Sequence, residues 1–187
     1  ASALSNYYAR LAQNPDSISQ FNHPGTTFGD FNDFANYSPQ TDKVVNMVEV
    51  GNGEGAVRGS GYFPSYEYYT RALDKGWHVA PTNNQDNHKG KWGDANTARS
   101  VILADSLTED NLYDAMRNRR IYATEDNDLK ITYKLNNEIM GTILDSKPDD
   151  VNIDVKISDA DKEAIGKVDV IVNGGKVAAT KTVTSSD

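Results

Sequence analysis

Val44-Val45-Asn46-Met47-Val48-Glu49-Val50-Gly51-Asn52-Gly53 is the stretch on which the fold of this 187-residue chain turns. Its apolar run has the length of a buried strand, and the Gly51-Asn52-Gly53 punctuation ends it. Working outward, Ser65 to Lys75 reads as a helix, with Pro64 at its start and Gly76 just past its end. Trp77 to Pro81 is a second short strand. On the other side, Ser17 to Asn22 is a strand that runs into His23-Pro24-Gly25, a turn that stops it. Residues 1–13 form a helix with Leu4, Tyr8 and Leu11 on one face. Ser100 to Ala104 is a further strand. Thr108 to Arg119 is a helix that Thr108 caps, with Glu109 and Asp110 in its first turn and Arg117 and Arg119 in its last. Strands alternating with helices predict a parallel α/β sheet or barrel.

Beyond Leu129 the period changes to two. Leu129 to Tyr133 alternates, Asn136-Asn137 offers a turn before Ile139 to Leu144, and Val151 to Ile157 alternates again. Val168 to Val172 and Lys176 to Val183 flank Asn173-Gly174-Gly175, a hairpin signal. Sixteen of the seventeen aromatic residues and all three His precede residue 129. The chain therefore divides into residues 1–128, an aromatic-rich α/β part with a cleft, and residues 129–187, the start of a small β-sandwich-like module, cut short.

Acidic residues outnumber basic ones by 27 to 19, a net charge of −8 and a pI near 4.8. Such a balance excludes a general nucleic-acid binder, which needs clustered Lys and Arg to meet phosphates. The absence of Cys excludes disulfides, thiol nucleophiles and zinc–thiolate sites. No apolar run approaches the length of a membrane span. The opening ASALSNYYARLAQ lacks both a signal-peptide pattern and an initiator Met, so a piece of a longer protein is expected.

The densest polar constellation is Asn83-Asn84-Gln85-Asp86-Asn87-His88, directly after a strand. In a parallel sheet that places it at the carboxyl edge, where α/β sites collect. Asp86 and His88 can offer an oxygen and a nitrogen to a metal of the Zn, Fe or Mn type rather than to Ca; a hydrated polar loop is the competing reading. His23 also follows a strand, on what should be the same edge; taken alone it reads first as a satisfied core or loop His. Glu49 lies inside an apolar strand, where a carboxylate is costly unless paired or metal-bound, and Arg58 or Arg99 could pair with it. His78 reads as structural.

In order, Asn22-His23-Pro24-Gly25, Val48-Glu49-Val50-Gly51-Asn52-Gly53, Gly76-Trp77-His78-Val79-Ala80-Pro81 and Asp86-Asn87-His88 resemble the later half of a PHP domain, the polymerase and histidinol phosphatase family of metal-dependent phosphoesterases. Trp92-Gly93, Val101-Ile102-Leu103-Ala104, the helix from Thr108 and Arg120-Ile121-Tyr122-Ala123-Thr124 continue it, so that the likeness covers about 105 residues, 20–125. The resemblance implies the carboxyl-terminal part of a distorted (β/α)7 barrel with a centre of two or three divalent ions, Mn, Zn or Fe. It implies His23, Asp86 and His88 as metal ligands. Glu49 and Asn52 line the site, and Lys89 and Arg99 are assigned to substrate phosphate, with solvated surface charge as the competing reading. The family's opening His-x-His and the ligands after it have no counterpart in the 22 residues before His23, which leaves about a third of a metal site here.

The function so implied for the intact protein is hydrolysis of a small phosphoester by metal-activated water, with little activity expected of this chain without the missing amino-terminal half of the domain. The alternative is a non-catalytic cell-surface or interaction module that kept the barrel and lost the chemistry. An extracellular or cell-surface location follows from the polar composition and the β module, with a cytoplasmic one as the other possibility.

Overall fold

The computed structural model describes residues 3–187, so the helix expected over 1–13 begins at Ala3, its first two residues lying outside the described residues. It forms as α1 (Ala3–Ala12), burying Tyr8 and laying Leu4 and Leu11 against the core. β1 (Gln20–Phe21), α2 (Phe31–Phe34), α3 (Pro39–Asp42), β2 (Met47–Asn52), β3 (Phe63–Pro64), α4 (Tyr66–Asp74) and β4 (Ala80–Asn84) follow. β1 and β4 flank β2 and run parallel to it, with Val48 beside both Phe21 and Pro81. β3 adds antiparallel at the far end of β2, Gly51 opposite Pro64.

β2 is irregular in a way that matters for the site. Glu49 pairs with Thr82 and Gly51 with Asn83, which makes Val50 an extra residue. In a regular pleat residues three apart point to opposite faces; a bulge between them brings Asn52 to the face that Glu49 occupies. Gly51 is needed there, because a Cβ would collide with the Tyr62 hydroxyl and the Asn83 side chain.

On the sheet's other face the core is aromatic. Trp77, 1% exposed, meets Tyr8, Phe21 and Tyr37 edge to face at centroid distances of 5.7, 5.1 and 5.3 Å. This arrangement suits the ring quadrupoles. The Trp77 indole N–H donates to the Phe34 carbonyl at 2.8 Å. Phe34 itself belongs to α2, whose four residues have φ of 57, 55, 52 and 54°, a single left-handed turn. Each such residue costs about 1–2 kcal/mol. Packing of Phe31 and Phe34 on Phe21, at 4.8 and 5.1 Å, and the Asp30 carboxylate accepting from the Asp33 amide at 3.0 Å hold the turn in place.

The expected distorted (β/α)7 barrel is overturned. The described residues form a four-stranded mixed sheet and three small antiparallel ones, with no closed barrel. The break comes at β5 (Arg99–Ile102) and β6 (Ile121–Thr124), which pair antiparallel across α5 (Glu109–Arg117) instead of continuing the parallel sheet. A four-residue apolar run has the same pattern whichever way its partner runs, so the alternation of strand and helix carried no information on direction. Thr108 does cap α5, accepting from the Asn111 amide.

The tail holds two separate sheets rather than the front of a sandwich. β7 (Leu129–Leu135) pairs with β8 (Glu138–Ile139) through an Asn136-Asn137 turn and with β9 (Ile153–Asp159) along its whole length. Both Asn have positive φ, 50 and 66°, as a tight primed hairpin turn requires. β10 (Gly166–Val172) and β11 (Lys176–Val183) form the hairpin read from Asn173-Gly174-Gly175. Ile153, Val155, Ile157, Val168 and Val170 face a cavity of about 540 Å³ shared with Tyr69 of α4. The Gly174 amide reaches the Asp74 carboxylate at 3.1 Å, so the hairpin tip rests on α4. No helix among the described residues is long and apolar enough to cross a membrane.

Between β6 and β7, Asp128 hydrogen-bonds Asp126, loses hydration and faces Asp161 and Asp159; together these push its carboxyl up to about 7. The same hydrogen bond holds Asp126 below the usual carboxylate range.

Two outcomes follow. Asn32→Gly should raise stability by about 1 kcal/mol in urea unfolding, since glycine enters the left-handed turn without strain. Because the native Asp128 binds a proton that the unfolded chain releases near pH 4, thermal melts in metal-free buffer should show stability falling as pH rises from about 4 to 7.

Candidate functional site

Three parallel strands deliver their carboxyl ends to one place. β1 ends one residue before Asn22-His23, β2 carries Glu49 and Asn52, and β4 ends at Asn84, two residues before Asp86. His23, Glu49, Asn52, Asn84 and Asp86 line one cavity of about 410 Å³, with Ser100 and Met116 on its far wall. The expectation that these loops share a sheet edge rested on parallel strands, and in this part of the chain the strands are parallel.

Glu49 is 3% exposed. Its Oε1 accepts from the His23 amide and from Asn52 Nδ2, both at 2.8 Å, and its Oε2 accepts from Asn84 Nδ2 at 2.9 Å. The carboxylate thus joins all three strands. Neither proposed cation reaches it. Arg58 is spent on Glu125 at 2.8 Å, and the Arg99 guanidinium donates to the carbonyls of Gly93, Asn96 and Ala98. Among the described residues no Lys, Arg or His forms an ion pair with Glu49. Neutral amides stabilise the anion, but they leave its full charge in place.

His23 and Asp86 both have left-handed backbones, φ 34 and 47°, a conformation that non-glycine residues keep only where the surroundings impose it. The His23 ring lies against Phe28 at 4.7 Å, and its Nδ1 is buried with no hydrogen-bond partner. An orphaned imidazole nitrogen that shares the cavity with the Glu49 and Asp86 carboxylates offers donor types that suit a divalent ion of borderline softness, but among the described residues these ligand atoms do not converge as a group of three within 4.8 Å.

The remaining residues fall outside the cavity. His88 has a side chain 76% exposed; its Nδ1 lies 2.6 Å from the Asp86 carbonyl and 3.8 Å from Asp86 Oδ1. A carbonyl only accepts, so Nδ1 carries a proton, and in the neutral ring Nε2 is the nitrogen with the free lone pair. Lys89 pairs with Glu54 at 3.2 Å. The His88 amide, more than Lys89, holds the Glu54 carboxyl below its usual range. With Arg99 bound to backbone carbonyls, neither assigned phosphate contact points into the cavity. His78 is structural, its Nδ1 2.6 Å from Asp42 Oδ2, and it precedes β4 rather than lying inside it.

Four neutral residues of the site escaped the sequence reading. Ser100 donates to Asn84 Oδ1 at 2.9 Å, which fixes the amide so that its NH₂ faces Glu49. Thr82 donates to Gln20 Oε1 at 2.6 Å beneath them. Asn84 stood in the polar run before Asp86, which was a signal; Gln20, Thr82 and Ser100 gave none. Glu49→Ala should cost about 3 kcal/mol in chemical denaturation, because the buried Asn52 amide and the half-buried His23 and Asn84 donors lose their acceptor.

No protein-family model, curated protein or solved structure matches this chain.

Proposed function

We propose that this chain carries part of a metal-dependent hydrolase centre that acts on a small phosphorylated substrate. The supporting observation is the meeting of His23, Glu49 and Asp86 in one cavity, with an imidazole nitrogen unpartnered and a buried carboxylate unneutralised. His23 and Asp86 hold a divalent ion of the Mn, Zn or Fe type, and His88 offers Nε2 from the end of the same loop. Such an ion supplies positive charge to phosphoryl oxygens and brings the pKa of a water toward neutrality.

The chain's own residues position the rest. Glu49 anchors the His23 backbone through its amide and so sets where the imidazole stands. Asn84, oriented by Ser100, keeps Glu49 from turning away. Asp86 fixes the His88 tautomer through its carbonyl, as outer contacts do for metal-bound His generally. Asn52 and Asn84 place neutral N–H donors beside the cavity. Lys89 and Arg99 have no part in this reading, since both are engaged elsewhere.

The test is uptake of Mn²⁺ and Zn²⁺ by the full chain, followed by equilibrium dialysis, for wild type and for His23→Ala, Asp86→Asn and His88→Ala. Each substitution should weaken binding by about tenfold or more. Unchanged binding in all three overturns the ligand set. A wild-type chain that takes up no metal points instead to the non-catalytic interaction module. Hydrolysis of p-nitrophenyl phosphate by the chain alone should be slow.

A further inference from the structure

The cavity of about 540 Å³ between the α/β part and the β tail is separate from the one around Glu49, and Ile121 is the only residue that lines both. Tyr69 and Leu73 of α4 form one wall, with Ile131 of β7 beside them. β9 turns Ile153, Val155 and Ile157 toward it and leaves Asp154 and Lys156 exposed, as a period of two dictates. β10 adds Val168 and Val170. Protein interiors rarely leave voids much larger than a water. This one falls within the range of about 300–1,000 Å³ that small-molecule sites occupy.

Among these apolar walls stands a cation without a counter-ion. Arg119 is half-buried, and among the described residues it forms no ion pair. Its Nε donates to the Gly141 carbonyl at 3.0 Å and its Nη1 to the Arg117 carbonyl at 2.9 Å, which leaves Nη2 free. Carbonyls satisfy N–H groups but do not neutralise the charge, and burial holds the Arg119 pKa below its ordinary value. The carboxylates that line or approach the cavity are engaged elsewhere. Asp42 pairs with the His78 ring at 2.6 Å and accepts from the His78 amide, while Asp169 pairs with Lys167 at 3.1 Å and accepts from Thr180 at 2.7 Å. Tyr69 and Tyr133 also line the cavity, and neither hydroxyl forms a hydrogen bond among the described residues. Burial first, and then the neighbouring Tyr133, push the Tyr69 hydroxyl up to about 12, so it stays a neutral donor.

We propose that this cavity binds a small monocarboxylic acid with an apolar body, its carboxylate on Arg119 and its hydrocarbon on the Ile and Val faces of β7, β9 and β10. A guanidinium deprived of water and of a counter-ion favours an anion strongly, and its planar fork matches carboxylate oxygens. One cation balances one negative charge. A phosphate monoester, close to doubly charged, would carry uncompensated charge into apolar surroundings. The ligand therefore differs in class from a phosphorylated substrate at the Glu49 cavity. The Tyr69 and Tyr133 hydroxyls are the further donors open to it.

The experiment titrates the 187-residue chain at neutral pH with octanoate, and separately with octanamide, by calorimetry, with thermal melts alongside. One octanoate should bind per chain and raise the melting temperature. Octanamide, of the same length but uncharged, should bind about tenfold more weakly or worse. Arg119→Gln should weaken octanoate by a similar factor and leave octanamide little changed. Val155→Trp should fill the cavity and weaken both, while His23→Ala alters neither. Arg119 also holds the Gly141 carbonyl, so the comparison of the two ligands on the wild-type chain keeps the test independent of how that variant folds. Absence of saturable octanoate binding at millimolar concentration overturns the proposal, and so does equal affinity for octanamide. Full octanoate affinity in Arg119→Gln or Val155→Trp, or lost affinity in His23→Ala, overturns it as well.

Discussion

One buried negative charge organises the upper edge of the parallel sheet. Glu49 is enclosed by neutral donors from β1, β2 and β4, and each of those donors needs Glu49 as much as it needs them. A carboxylate in that position cannot be left bare, so the strand ends must stay in register and the His23 turn must stay closed over the cavity. The left-handed backbone at His23 and the bulge at Val50 follow from this requirement. The aromatic core on the opposite face provides the free energy that lets both irregularities persist.

Two layers of the molecule therefore do different jobs. Below the sheet, Trp77 and its ring neighbours supply close apolar packing and absorb the cost of a left-handed turn at Phe31–Phe34. Above it, the contacts are almost wholly polar, and their strength lies in geometry rather than in area. The antiparallel β5–β6 pair and α5 close the cavity from the far side, where a barrel would have placed further parallel strands. The tail leans on α4 and on the end of β6, and its own two sheets enclose apolar space without pairing with each other.

Some of this was legible in the residues. The run Val44–Val50, the Gly51–Gly53 stop, the helix ending at Gly76 and the His23-Pro24-Gly25 turn gave the parallel trio, and with it the convergence of His23, Glu49, Asn52 and Asp86. Strand direction after Arg99 was not legible, because four-residue strands carry no directional pattern. β4 starts at Ala80 rather than Trp77 because the Trp77 amide instead bonds the Ala72 carbonyl at the helix end and its ring belongs to the core. The carboxylates at Asp126, Asp128 and Asp159 were invisible to a reading that followed neighbours along the chain, since only the pairing of β7 with β9 makes them neighbours in space. Arg99 and Lys89 show the limit of formal charge as a guide: both are cations near the site, and both are already committed to other acceptors.

The extra residue at Val50 has a consequence for how this site would be inherited. An acid and an amide on the same face of a regular strand sit two or four positions apart, whereas here the bulge sets the interval at three. A related chain that kept Glu and Asn three apart but paired this strand without the bulge would retain both letters, put them on opposite faces and lose their hydrogen bond. The signature of descent for this cavity is thus a spacing, Glu-x-Gly-Asn, in which the small third residue makes room for Tyr62 and Asn83 and the unnamed second one carries the irregularity.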